Sequence, residues 1–391
     1  MSRSIFRISA LVLAGACWAL APVVNASNQT GETQATVNQK KAPARAVGES
    51  HGERFARRLA AYYPGSTYEL KQDARHETPT GAYRLIRVDR QCDNKFLTGP
   101  IAMLVDEGSG MSYSGAVGKM PDDRPTDSLA HLKAFVGQFL PDALARSMGV
   151  HSRVVWNEIP VRAGGVIPFV LKVETGYGEM ARPAAVTGDG QYVVLGSAIP
   201  FDEDPPAWRK KVLDASDLVV WDRVQPKAPV TIVEFSDFEC PGCKSKWPII
   251  KKALEKFSGA VRHGMVNFPL TRIHPWAFRA AVAGWCVAQQ DPGSLLGLKE
   301  QYYAMQKDME LALVPQVAQD YLSGADMDGA AFDRCYLKPP AVDAVLRQMS
   351  FGYRFNIDAT PTYFVNGIRI QAPQEDWFLE LIQRLLAGEE P

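Results

Sequence analysis

The stretch FSDFECPGCKSKWP, residues 235–248, sets two cysteines three positions apart where an apolar run meets a lysine-rich amphipathic stretch. Upstream, VTIVEFSDF (230–238) is dense in Val, Ile and Phe and follows Pro229, the pattern of a buried strand. Downstream, Trp247, Ile250, Leu254 and Phe257 recur at helical spacing while Lys244, Lys246, Lys251, Lys252 and Lys256 take the other positions. Cys240 is therefore predicted at the end of a strand and the first turn of a helix, with Cys243 one turn further in. A structural zinc would need two more ligands, and no second CxxC, CxH or HxxxH exists among the scattered histidines. A structural staple gains by closing a long loop, and a bridge this short removes little chain entropy. A redox role suits the position better. Unpaired N–H groups and the positive end of the helix dipole favour thiolate at Cys240. The more buried Cys243 is placed to attack a mixed disulfide formed there and release the bound molecule. Pro248 removes an N–H from the helix and is expected to bend it.

Outward from this stretch, VRHGMVNFPL (from Val261) reads as a second strand, and ATPTYFVNGIRI (359–370) as a strand, an Asn366-Gly367 turn and a partner. From Pro275 to about Leu346 the pattern is mostly helical, and DWFLELIQRLLAG closes the chain as an amphipathic helix. A strand, a CxxC that opens a proline-containing helix, and a remote Thr-Pro ahead of a strand together resemble the thioredoxin fold. They resemble most closely its exported bacterial branch, the thiol:disulfide oxidoreductases DsbA, DsbC and DsbG. The matching segments, VEFSDFECPGC and ATPTYFVNG, place this resemblance over about residues 227–391, with a helical insertion at about 275–346.

The resemblance implies an α/β catalytic domain in which Thr360 precedes a cis proline, Pro361, facing the dithiol. It also implies a buried proton acceptor at Glu234, six residues before Cys240, where the plainer reading is an ordinary edge carboxylate. The clients it implies are unfolded or misoxidised exported proteins, and the electron partner a membrane donor or acceptor of the Dsb type, with no cofactor and no metal. Pro241-Gly242 departs from the usual dipeptides between the cysteines, and Gly offers the thiolate none of the contact a His would. The hairpin VTGDGQYVVLG (186–196) resembles the end of the cystatin-like module that precedes the catalytic domain in DsbC. With Thr360, it turns the expectation toward a disulfide isomerase or reductase. The alternatives are a primary oxidase, or a non-catalytic chaperone-like or copper-binding module on the same scaffold.

The whole chain, 391 residues with 46% hydrophobic and 22% charged, has ordinary globular composition. Lys plus Arg equals Asp plus Glu at 43 each, so charge argues for neither nucleic acid nor an anionic membrane surface as partner. Arg3 and Arg7 lead an apolar stretch that ends at Val24-Asn25-Ala26, the layout of a cleavable signal over residues 1–26 and hence of a periplasmic protein. Residues 27–50 read as a polar, disordered tether. Two stretches then look alike, at a spacing of about 80 residues: LAAYYPG with VGQFLPD, RLIRVD with FVLKVE, and MSYSGAVGKMPDDRP with YVVLGSAIPFDEDPP. They define an α+β arm of two modules, 51–128 and 129–205, that would pack on each other or align their sheets, followed by a helix-containing linker at 206–226. Such an arm would act as a built-in pseudo-dimer, with monomer or homodimer left open for the whole chain. Loss of Cys17 with the signal leaves five cysteines. Cys286 and Cys335, both within the insertion, are expected to be bonded, and Cys92 to be buried or unpaired. His274, before Pro275, reads as a capping or packing histidine rather than a proton relay.

Overall fold

A computed structural model describes residues 50–62, 66–92, 99–125, 127–156, 164–223, 227–371 and 373–389; the expected signal and nearly all of the expected tether lie outside these. Two runs of a helix followed by four strands come first. The first is α1 (His51–Tyr62), β1 (Ser66–Thr78), β2 (Gly81–Cys92), β3 (Gly99–Asp106) and β4 (Met111–Lys119). The second is α2 (Leu129–Met148), β5 (Ser152–Trp156), β6 (Val166–Thr175), β7 (Gly178–Thr187) and β8 (Tyr192–Pro200). All eight strands share one sheet in the order β1-β2-β3-β4-β8-β7-β6-β5. Read inward from either edge, each run contributes its strands in the same sequence, and the two last strands meet antiparallel in the middle with Gly115 opposite Gly196.

Those two glycines occupy matching places in MSYSG and YVVLG, and the backbone needs them. Gly115 has φ 147°, which side chains rarely adopt, and a β-carbon on Gly196 would run into the Ser114 carbonyl oxygen. The sheet is also curled, so that β6 lies against β2 and β3. The Asp106 carboxylate, buried at the end of β3, accepts from the backbone N–H of Gly165 at 2.9 Å, across from its own strand. Between the two halves lie Tyr83, Leu85, Leu104, Val166, Ala185 and Val194. Alternate residues point the other way, as the strand period requires. There Phe55 and Leu59 of α1 pack on Ile86 and Val88, while Leu132, Val136 and Leu140 of α2 pack on Phe169, Leu171 and Val173.

The segment expected to be a linker is tied into the next body. α3 (Pro205–Asp214) starts at Asp204, whose side chain accepts from Ala207 N, and it is followed by β9 (Val220–Arg223). Leu213, Val219 and Val220 are buried in the following core, so this stretch packs and pairs rather than spanning a gap. The helix expected within it is α3.

The second body comprises β10 (Val230–Ser236), α4 (Pro241–Lys256), β11 (Val261–Asn267), α5 (Ala277–Gln290), α6 (Ser294–Met305), α7 (Val314–Gly324), α8 (Gly329–Cys335), α9 (Pro339–Arg354), β12 (Thr362–Val365), β13 (Ile368–Gln371) and α10 (Glu375–Leu386). Its sheet runs β13-β12-β10-β11-β9, with β10 parallel to β11 and antiparallel to β12. Helices α4 and α10 close one face through Trp247, Ile250, Leu254, Phe378 and Ile382. Helices α5 to α9 form the core on the other face with Phe235 and Phe268. Cys286 of α5 is disulfide-bonded to Cys335 of α8, with Cα atoms 5.8 Å apart. The arm docks on this helical side. Helix α9 lies along β7, the Tyr177 ring stacks on Phe278 at 3.8 Å, and the Arg182 guanidinium sits over the Tyr353 ring at 5.0 Å. Among the described residues no helix is long and apolar enough to cross a membrane.

The β4–β8 seam makes a checkable demand. Gly196→Ala should lower stability by about 1–3 kcal/mol, the usual cost of forcing extra atoms into a packed site, read as a lower urea midpoint. An unchanged midpoint would mean that the seam yields without cost.

Candidate active site

The site is built where β10, buried along its whole length, runs out and α4 begins. The turn between them is closed by Cys240 N donating to the Asp237 carbonyl at 3.2 Å. Cys240 is the residue that caps α4, and Pro241 holds the first helical position, where a missing N–H costs nothing. No side chain caps this helix end, so its free N–H groups and positive dipole face the Cys240 sulfur. Cys240 is 6% exposed and Cys243 fully buried, and both are free thiols.

The second wall comes from the far end of the chain. The Thr360-Pro361 peptide is cis, and the Cys240 thiol donates to the Thr360 carbonyl at 3.3 Å. A β-carbon on Gly242 would lie 3.4 Å from both Cys240 Sγ and Pro361 Cδ, in ordinary contact, so the two segments meet at this position. The Thr360 hydroxyl is buried without a partner, beside a sulfur that becomes an acceptor on losing its proton. The hydrogen bond from Cys243 outweighs burial, with the nearby Thr360 adding to it, and Cys240 is brought down to about 6. Burial first, and then the bond to Cys240, pushes Cys243 well above the usual thiol range. The two sulfurs are thus set apart, one favouring thiolate and the other thiol.

Behind the dithiol lies a sealed charge cluster. Glu234, at the centre of β10, accepts from Lys299 Nζ of α6 at 2.6 Å, and its carboxylate is 3.7 Å from His263 Nε2 on β11. His263 Nδ1 in turn meets Asp222 of β9 at 2.7 Å. All four side chains are buried or nearly so. Burial alone would raise Glu234, but Lys299 and His263 hold it down at about 2. Burial likewise opposes charge on His263, but Asp222 and Glu234 raise it to about 9. Glu234 is thus buried below the dithiol and paired with Lys299 and His263, and its negative charge adds to the causes that keep the proton on Cys243.

A second carboxylate shapes the front of the site. Asp237, buried, accepts from Glu239 N at 2.8 Å, Leu270 N at 2.8 Å and His274 Nδ1 at 2.7 Å. His274 is therefore not the cap of α5, whose capping residue is Trp276. Glu239 accepts from Trp276 N at 2.6 Å, and burial lifts it to about 7. Of the residues expected at the site, Cys240, Cys243, Thr360, Pro361 and Glu234 come together here. Cys286 and Cys335 sit away from it, in the helical layer. Cys92 ends β2 in the arm, and its side chain lies outside the described residues. Lys299, His263, Asp222 and Asp237 were not singled out from the sequence. Only Asp237, inside the strand-to-CxxC turn, carried a usable signal, as an Asp in a turn next to a helix start.

The thioredoxin family profile matches residues 225–384. The Na(+)/H(+) antiporter NhaA 3 of Salinispora tropica is 30% identical over 147 residues, 38% of this chain but 22% of that protein, so the chain spans about a fifth of that relative's length. The disulfide bond formation protein D of Bacillus subtilis is 30% identical over 176 residues, covering 41% of this chain and 74% of that protein. The crystal structure of oxidised BdbD from Bacillus subtilis is similar with a TM-score of 0.38 and 29% identity, over 41% of this chain and 90% of that one. A strand that delivers CxxC to a helix start, a Thr-Pro segment closing over it, and a relative matched across three quarters of its length lead to one assignment: the chain belongs to the Dsb-type thioredoxin-fold thiol:disulfide oxidoreductases.

Proposed function

We propose that this protein exchanges disulfides with exported polypeptides through Cys240 and Cys243, and that its main work is isomerisation or reduction of wrongly paired clients in the periplasm. The observation that carries the reading is the Cys240 sulfur, set at the start of α4 against Thr360 and held at about 6. A thiol attacks a disulfide best when its pKa is near the ambient pH, because a lower one gains thiolate but loses nucleophilicity. The Cys240 thiolate attacks one sulfur of a client disulfide, forming a mixed disulfide and releasing the other client sulfur as thiolate. In isomerisation that thiolate, or another on the client, attacks elsewhere and Cys240 leaves unchanged. In reduction Cys243 loses its proton and attacks Cys240 Sγ. The client departs as a dithiol, two electrons have moved to it, and the protein is left as the Cys240–Cys243 disulfide. A membrane donor of the Dsb type then restores the dithiol.

A second reading is favoured by the name of the Bacillus subtilis relative, a disulfide bond formation protein. There the oxidised pair donates its bond to a reduced client and a membrane acceptor takes the electrons. The glutathione-determined potential of the pair separates these readings. Isomerase or reductase work expects a value between about −270 and −180 mV, donor work one near −120 mV, and a value below about −300 mV would leave only a structural bridge. Cys243→Ser should accumulate mixed disulfides through Cys240, visible on non-reducing gels. If they form through another cysteine, the assignment of Cys240 fails.

The charge cluster makes a further prediction. Glu234→Gln removes an anion whose charge helps to keep the proton on Cys243, so Cys243 should ionise more readily and resolve mixed disulfides faster at neutral pH. Slower resolution would instead make Glu234 the proton acceptor. The same substitution breaks a buried ion pair and should cost about 3–5 kcal/mol of stability.

Stability should also follow pH at both ends. Glu234, held at about 2 against an ordinary 4.5, contributes above the ordinary value and loses its contribution as pH falls toward 2. His263, held at about 9 against 6.5, contributes fully below 6.5 and loses its contribution as pH rises toward 9. Denaturation midpoints across that range, with Glu234→Gln and His263→Gln each flattening its own limb, are the measurement.

A further inference from the structure

We propose that His274, held by Asp237, is the positioning residue that steadies negative charge on the Cys240 sulfur, a task for which the Pro241-Gly242 dipeptide has no side chain. This rests on the reading of Cys240 as nucleophile and adds to it a group from outside the CxxC segment.

The argument starts from Asp237. Its carboxylate is fully buried and accepts from two backbone N–H groups and the imidazole. It lies three residues before Cys240, and its negative charge opposes a thiolate there. Two anions so close in a poorly solvated site require a cation between or beside them. His274 answers that need. Its Nδ1 is committed to Asp237 at 2.7 Å, which fixes the ring, and the side chain is 12% exposed.

The ring also borders a groove of about 560 Å³ whose lining includes Glu239, Pro241, Lys244, Trp276 and Lys307, so it shares a surface with the residues on either side of Cys240. Burial pushes His274 toward its neutral form, but Asp237, then Cys240 and Glu239, hold the proton on. The charged and titratable groups facing it are Asp237, Glu239 and Cys240 from the turn, Lys244 of α4, and Lys307 beyond α6. Lys244 and Lys307 border the open groove, where water screens them, whereas Asp237 is sealed. A merely structural histidine would need the bond to Asp237 but no charge. That difference makes the two roles separable.

The test compares His274→Gln, which can still donate to Asp237 but carries no charge, with His274→Lys, which restores one. Ultraviolet absorbance of the thiolate in the reduced protein gives the Cys240 titration, and thiol alkylation with peptide mapping identifies the sulfur. His274→Gln should raise the Cys240 midpoint by about one unit, the low end of what a nearby opposite charge supplies, and cut thiolate at pH 5 about tenfold. His274→Lys should recover most of it. In the wild-type protein the coupling must be reciprocal. The His274 imidazole, followed by NMR, should therefore titrate higher in the reduced protein than in the disulfide form. That measurement decides the matter even if a variant fails to fold. A folded His274→Gln protein with an unshifted Cys240, or an imidazole that titrates alike in both redox states, overturns the inference while leaving the nucleophile in place. Labelling of Cys243 before Cys240 overturns the nucleophile beneath it.

Discussion

A carboxylate sealed in the middle strand of a sheet must be matched by charge, and the Glu234–Lys299 pair is the match on which the catalytic body depends. Glu234 stands on β10, six residues before Cys240, while Lys299 comes from α6, well inside the helical layer. Their 2.6 Å contact binds that layer to the strand that presents the dithiol. Breaking such a pair on one side leaves a buried charge unpaired, a larger penalty than the pair's own net worth. The same helix then grips α4. Glu300 accepts from Trp247 Nε1 at 3.0 Å and from Lys251 Nζ at 2.9 Å, and the Lys299 ammonium lies over the Trp247 ring at 4.3 Å. One turn of α6 therefore fixes the strand before the cysteines and the helix after them, so the angle at which the two sulfurs are offered follows from it.

The two segments that meet at the dithiol were legible in the sequence because each carries a local signature. Val and Ile density with Pro229 marks β10, the cysteine spacing marks the helix start, and Thr360-Pro361 ahead of TYFV marks the facing strand. The cysteines of the insertion were legible for a different reason, since thiols in a chain read as exported are expected to pair. Lys299 was not legible. In LGLKEQYY it is followed by Glu300 and Gln301, and nothing in a helical period distinguishes a lysine that turns inward to meet a carboxylate from one that turns outward. Asp222 and His263 were hidden by the same long-range electrostatics. For His274 the capping alternative fell and the packing one stood, and the partner that holds it, Asp237, lies 37 positions away.

The arm shows how far an internal resemblance can be pushed. Matching segments pointed to two α+β modules, and the aligned stretches MSYSG and YVVLG carry the glycines that face each other in the sheet. What could not be read was how the runs would meet. Their last strands pair across Gly115 and Gly196, so the close approach that both glycines permit is used once, by both copies together. The remaining apolar faces then close by curling the sheet, with Gly81 against the Gly164-Gly165 backbone. Small units of this size bury too little surface alone, and one continuous sheet with an enclosed seam solves that for both at once.

Asn356 joins that seam to the active site. Its side chain accepts from Ser197 N on β8 at 3.1 Å and donates to Ser114 Oγ on β4 at 3.0 Å, spanning the two strands where the halves of the arm meet. Its backbone, at φ 54°, ends α9, and its carbonyl accepts from Arg369 Nη1 of β13 at 3.0 Å. Four residues later the chain reaches Thr360, whose carbonyl accepts from Cys240. The segment between is short, with Ile357 buried, so it is held at one end by the arm and at the other by the dithiol. An arm attached only by a flexible tether could present a surface to clients and do nothing else. This one is packed along α9 and bonded to the residue from which the Thr-Pro segment departs, so the position of Thr360 above the Cys240 sulfur is set partly by how the two halves of the arm fit together.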